Sequence, residues 1–299
     1  MKWKRGKRSG DIIDRRGNPG SAMGAGMPMG AGVGGAGLLI VIAVVVVMNL
    51  IGGGDIGDIG DVLGGLNGGG VQQADPGSDP IPRSEDEDVK LVDFISFVLD
   101  DVQGTWATIL ESTKTPYRSA ELVLFEQSTQ SGCGGATEDI GPHYCPADER
   151  VYIDLDFFRE LRQRFGAPGD FAQAYVLAHE IGHHVQNILG IEAEVRRAQR
   201  EDPDRVNDLS VRMELQADCF AGVWGYTTFE RNILESGDLQ EGLDAAAAVG
   251  DDRIQKEATG RVNPESWTHG SSEMRMRWFR KGFDTGDPSQ CDTFSADSL

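Results

Sequence analysis

Hydrophobic positions recur at helical spacing through most of the chain beyond residue 88. Val89, Val92, Ile95, Val98, Val102, Trp106 and Ile109 fall three or four apart and predict a helix that begins near Glu87 and ends before Pro116. Phe171, Ala174, Tyr175, Ala178, Gly182, Val185 and Leu189 form a second apolar stripe, so Asp170 to Leu189 reads as one core helix. Ile191 to Glu201 is charged and solvent-facing in pattern, and Asp202-Pro203-Asp204 breaks it. A further helix starts near Asp208 or Ser210, either of which suits an N-cap. The pattern closes with two helices, Gln240 to Lys256 and Ser272 to Gly282, joined by residues 260–270. Two runs rich in β-branched and aromatic residues, Glu121 to Gln127 and Arg150 to Asp154, predict short strands, and a helix from Asp156 to Phe165 follows the second. Val151 to Asp154 is a candidate edge strand to which an extended peptide could add, with an ordinary core strand as the alternative. The fold class expected is α+β, mainly helical with a small β-sheet.

The first 88 residues follow a different pattern. Leu38 to Ile51 is apolar except for Asn49, and the uncharged stretch Met27 to Ile51 is twenty-five residues long, against the roughly 20 that a bilayer core requires. One transmembrane helix at 27–51 is expected; a cleaved signal peptide is the alternative, although Met48-Asn49-Leu50-Ile51 offers no small-residue cleavage site. Residues 1–20 carry a net charge of +5 and the remainder −25. By the positive-inside bias, a basic tail at 1–26 stays in the cytoplasm and the rest lies outside, periplasmic or at the cell surface. Residues 52–87, rich in Gly, Asp and Pro, cannot bury enough apolar surface to order themselves and read as a flexible linker. That leaves 88–299 as the ordered domain, and 39% hydrophobic content over the chain suffices for its core. So acidic a body, without a basic patch, excludes nucleic acid as a partner.

The candidate chemistry lies in the core helix. His179-Glu180-Ile181-Gly182-His183 places two imidazoles four residues apart on one helix face, where they can hold one metal ion together. This is the His-Glu-x-x-His arrangement of zinc peptidases, in which the metal lowers the pKa of a water and the glutamate takes its proton. Three of the chain's five histidines, His179, His183 and His184, fall within residues 179–184. A core helix whose histidines only satisfy local hydrogen bonds is the alternative. Glu214 and Asp218 share one face of a later, largely apolar helix, where unpaired carboxylates would be costly. In the glutamate-liganded zinc peptidases, such a Glu-x-x-x-Asp supplies the third ligand and an aspartate that orients a liganding histidine. The four cysteines allow three pairings. Cys133 with Cys145 would close a Gly-rich loop and leave Cys219 with Cys291; free buried thiols are the alternative.

His179-Glu180-Ile181-Gly182-His183-His184-Val185-Gln186, the run Glu214 to Gly222 and Thr268-His269-Gly270 resemble the bacterial neutral zinc metallopeptidase family, as do Asp14 to Gly17 and the apolar anchor. The resemblance implies a zincin-like fold, one Zn²⁺ per chain on His179, His183 and Glu214, and Glu180 as catalytic base. Membrane-associated zinc peptidases that share the Glu-x-x-x-Asp pattern have a His-Pro turn near the metal. Here His269 is followed by Gly270. His269 could donate to the oxyanion or cap the metal at rest; a backbone-bonded loop histidine is the alternative, and Tyr226 is the rival oxyanion donor. The function expected is a membrane-tethered zinc endopeptidase acting on polypeptides. The competing class is a non-catalytic, zinc-stabilised extracytoplasmic module that binds polypeptides.

Overall fold

A computed structural model describes residues 1–4, 6–16, 86, 88–137, 140–163, 167 and 169–299. The expected transmembrane helix at 27–51 lies outside these residues, as does the linker apart from Asp86. Among the described residues no helix is long and apolar enough to cross a membrane.

Over the described residues the architecture is mainly helical with two small sheets. In chain order the elements are β1 (Ile12–Asp14), α1 (Val89–Leu110), β2 (Glu121–Phe125), β3 (Ser128–Ser131), β4 (Gly134–Thr137), β5 (His143–Cys145), β6 (Arg150–Asp154) and α2 (Leu155–Gln163). They continue with α3 (Asp170–Ile188), α4 (Ile191–Glu201), α5 (Val206–Glu230), α6 (Asp238–Ala248), α7 (Asp251–Thr259) and α8 (Ser272–Thr285). The larger sheet has the order β1-β2-β6-β5; β1 and β6 run parallel to β2, and β5 runs antiparallel to β6. Strands β3 and β4 form a separate antiparallel pair.

The period-2 alternation of side chains explains why the sheet strands read as continuous apolar runs. Leu122, Leu124, Val151 and Ile153 point into the main core with α1 and α3, while Val123, Phe125 and Tyr152 pack with Ala136 and Cys145 on the opposite face. Both faces are covered, so no polar alternation survives. This sheet corrects one expectation: β6 lies between β2 and β5, so Val151 to Asp154 is not an edge. The edge nearer α3 is β5, where Tyr144 takes part in hydrogen bonds with His184 and Asn187 of α3.

Three further departures have physical causes. The predicted helix from Gln240 to Lys256 is two helices, α6 and α7, interrupted at Val249 and Gly250, where the backbone of Ser272 approaches too closely for a side chain. The start of α5 is carried by a 3₁₀ turn at Pro203–Arg205 rather than by an Asp208 or Ser210 cap. The expected basic tail at 1–26 divides, with residues 1–4 and 6–16 packing into the body and 17–26 outside the described residues. Ile12 to Asp14 add a strand to β2. Arg16, 2% exposed, donates to Asp14 (2.7 and 2.9 Å) and to Asp86 (2.9 and 3.1 Å), and Arg8 joins the same two carboxylates. A buried arginine needs such partners, and only the fold brings Asp86 to Arg16.

Both expected disulfides form: Cys133–Cys145 joins the β3–β4 hairpin to β5, and Cys219–Cys291 ties the chain after α8 to α5.

Candidate metal centre

Helices α3 and α5 cross where Gly182 meets Ala217. A Cβ on Gly182 would lie 3.0 Å from the Ala217 carbonyl oxygen, so only glycine permits this approach without a shift. The crossing brings the imidazoles of α3 to the carboxylates of α5. His179 Nε2 lies 3.2 Å from His183 Nε2 and 3.2 Å from Glu214 Oε2, and His183 Nε2 lies 3.4 Å from Glu214 Oε1. A tetrahedral ion with bonds of about 2.0–2.1 Å holds its ligand atoms about 3.3 Å apart. The donor set therefore fits zinc in both type and spacing. Glu180, 7% exposed, follows His179 on the same helix.

Each of the two imidazoles is oriented through its other nitrogen, as metal-binding histidines commonly are. Asp218, fully buried, accepts from His179 Nδ1 at 2.8 Å; because an ionised carboxylate only accepts, Nδ1 carries the proton and Nε2 is turned to the site. His183 Nδ1 is held at 2.8 Å by Gln186 Oε1. Gln186 in turn donates to the Met213 carbonyl (2.8 Å) and to Gln216 Oε1 (3.1 Å), and Gln216 donates to the Cys291 carbonyl (3.0 Å). Asp218 was expected from its spacing after Glu214. Gln186 was not assigned a role, although its place three residues after His183 puts it on the same face.

Burial disfavours charge on His179, but Asp218 and Glu214 outweigh it and raise its pKa to about 9. His183 is likewise raised by Glu214 against its burial. For Glu214 and Asp218, burial would raise the pKa, but His183 and His179 lower that of Glu214, and Arg275 and His179 lower that of Asp218.

His269 sits on the turn before α8. Asp251 shapes that turn: one carboxylate oxygen accepts the backbone N–H groups of Thr268 (2.8 Å), His269 (2.7 Å) and Gly270 (3.0 Å), and the other lies 3.1 Å from His269 Nδ1. With Nδ1 occupied, Nε2 is left for chemistry. Burial opposes its charging, but Asp251 and Glu214 raise the pKa of His269. Gly270 has φ +89°, which the proline of a His-Pro turn, fixed near −65°, cannot adopt. Tyr226 is remote from the His179, His183 and Glu214 cluster: it lies twelve residues after Glu214 on one helix, about 18 Å along the axis, against Gly286.

The other two histidines are structural. His184 lies between the Tyr144 hydroxyl (2.9 Å) and the Arg118 carbonyl (2.7 Å), and its burial lowers its pKa. His143 stacks on Tyr152.

Residues 1–294 match the family described as "Putative neutral zinc metallopeptidase". The chain is 46% identical over 297 residues to the uncharacterized protein YpfJ of Escherichia coli K12, covering 98% of this chain and 99% of that protein. It is 47% identical over 209 residues to the uncharacterized proteins Rv2575 of Mycobacterium tuberculosis and Mb2605 of Mycobacterium bovis, covering 66% of this chain and 69% of each of them. No solved structure matches the chain. With a match from the first residue almost to the last, and two helices that gather the zinc-type donors, the chain belongs to the neutral zinc metallopeptidase family.

Proposed function

We propose that this protein hydrolyses peptide bonds, with one zinc ion per chain held by His179, His183 and Glu214 in a zincin-like site. The observation that carries the reading is the meeting of two imidazole nitrogens, 3.2 Å apart, with the Glu214 carboxylate, whose Oε2 lies 3.2 Å from His179 Nε2 and whose Oε1 lies 3.4 Å from His183 Nε2, beside the buried Glu180. Zinc bound there supplies Lewis-acid chemistry, lowering the pKa of a water and polarising the scissile carbonyl. Glu180 takes the proton of the attacking water and passes it to the leaving amine. His269, held through Nδ1 by Asp251 and raised in pKa, offers Nε2–H to the developing oxyanion. An extended polypeptide adds to the outer edge of β5, the strand that packs on α3.

Two disulfides support an extracytoplasmic body, since such bonds persist in oxidising compartments. The packing of residues 1–16 constrains how a membrane span at 27–51 could serve as an anchor. A single crossing between Arg16 and Asp86 would put these partners on opposite sides and break their buried cluster. The arrangement therefore favours the N-terminal residues and the body sharing one side.

The deciding experiment uses the zinc-loaded full chain with an unstructured polypeptide. Glu180→Gln should retain zinc and lose about 10²–10⁴-fold in cleavage rate, and His269→Ala should retain zinc and lose kcat and kcat/KM together. Absence of cleavage by the wild type, with polypeptide binding equal in wild type and Glu180→Gln, would replace the peptidase with a binding module.

A further inference from the structure

Arg275 of α8 is a buried cation at the centre of the site, 3% exposed, and its place there is enforced by backbone packing. A Cβ on Gly222 of α5 would lie 2.1 Å from the Phe279 carbonyl oxygen, and one on Gly282 of α8 would lie 2.0 Å from that of Cys219. Glycine on both sides lets α5 and α8 pack backbone to backbone, and the Cys219–Cys291 disulfide ties the chain after α8 to the same turn of α5. The guanidinium then meets Asp218 as a two-pronged fork, Nε to Oδ2 at 2.8 Å and Nη2 to Oδ1 at 2.9 Å. Tyr175 donates its hydroxyl to the same Oδ1 at 2.5 Å, and Arg275 Nη1 donates to the Val249 carbonyl at 3.2 Å. Nη2 also lies 3.4 Å from His179 Nδ1 and 3.8 Å from Glu214 Oε2.

We propose that Arg275 is a positioning residue for the metal centre. It acts through Asp218, fixing that carboxylate so that His179 keeps its proton on Nδ1 and aims Nε2 at the ion. The physical reason is that a buried carboxylate without a second, two-pronged partner can rotate, and rotation would release the ring. A permanent cation that holds both carboxylate oxygens removes that freedom. Lysine cannot substitute, because an ammonium lacks the planar fork. Tyr175 has a lesser part, adding one donor to Oδ1.

The inference rests on the metal reading of His179, His183 and Glu214, and the experiment separates the two. Metal-free full-length wild type, Arg275→Met, Arg275→Lys, Tyr175→Phe and Glu214→Ala are titrated with zinc against a chromophoric chelator, with the thermal midpoint of each metal-free protein recorded alongside. Ring-nitrogen NMR follows the His179 Nδ1–H signal of the zinc-loaded proteins. Arg275→Met should weaken zinc by about 10–100-fold and broaden or abolish the Nδ1–H signal. Arg275→Lys should recover only part of the affinity, and Tyr175→Phe should lose least. Wild-type zinc affinity in folded Arg275→Met overturns the proposal. So does a lowered thermal midpoint with affinity and Nδ1–H signal unchanged, which would make the residue merely structural. If Arg275→Met does not fold, Arg275→Lys decides, with wild-type affinity again overturning the proposal. Wild-type zinc binding by Glu214→Ala would instead remove the metal reading itself.

Discussion

Among the described residues, two clusters of three ligand-capable side chains bring their ligand atoms within 4.8 Å of one another: His179, His183 and Glu214, and Asp170, Asp238 and Glu241. The first mixes two imidazoles with one carboxylate, and each imidazole is fixed by a partner behind it. The second is all carboxylate and faces the Met1 ammonium, 2.8 Å from Asp170 and 3.3 Å from Asp238, while Glu241 accepts the Phe171 N–H. Only the first has imidazole donors that suit a zinc ion and outer hydrogen bonds that aim them. Proximity alone makes a charge sink; donor type and orientation make a metal site.

The sharpest way to break this comparison is to remove one carboxylate from each cluster. Glu214→Ala should abolish stoichiometric zinc and all hydrolysis, because two ligands do not hold a catalytic zinc. Asp238→Asn should leave zinc affinity unchanged. Metal analysis of the purified proteins checks both, and full zinc in Glu214→Ala or lost zinc in Asp238→Asn would dissolve the distinction.

Next in size is a test of the N-terminal segment, where Arg16 serves folding rather than metal binding. Arg16→Ala leaves Asp14 and Asp86 buried without their main cation and should cost about 3–5 kcal/mol in denaturant unfolding with zinc affinity unchanged. An unaltered unfolding midpoint would return residues 1–16 to a tail separate from the body.

A smaller effect tests the orienting partners. Asp218→Asn should weaken zinc by about 10–100-fold, and Gln186→Ala should fall at the lower end of that range, since its bond to His183 is neutral. Equal affinity in Asp218→Asn and wild type would show that His179 needs no orientation.

The smallest effect is that of pH. In the zinc-free fold His179, raised to about 9 from its ordinary 6.5, is protonated at neutral pH, so zinc must displace a proton. A raised pKa contributes stability to the metal-free protein that is full below 6.5 and is lost as pH rises through about 9. Zinc affinity moves the opposite way, gaining up to about tenfold per pH unit for each proton displaced until that pKa is passed. Calorimetry in buffers of different ionisation enthalpy reads the released proton directly. No release near pH 7 would contradict this charge state.

What could be read from the sequence was whatever depends on spacing within one element. His179 and His183, or Glu214 and Asp218, share a helix face because residues four apart always do, and the strand Arg150 to Asp154 followed from its β-branched run. The cysteine pairing followed from loop closure and an even count. Apart from that pairing, the contacts that join distant segments were decided by tertiary structure. The Ile12–Asp14 strand is three residues long and exists only because β2 offers it a partner; within a basic segment it has no pattern of its own. Asp251 reaches His269 across 18 positions, and Arg275 reaches Asp218 across 57. A lone arginine or aspartate carries no signal of burial in its sequence neighbourhood. Burying such a charge is tolerable only beside a partner that the fold supplies, so the roles of Arg16, Asp251 and Arg275 became readable only once the helices and the sheet were in place.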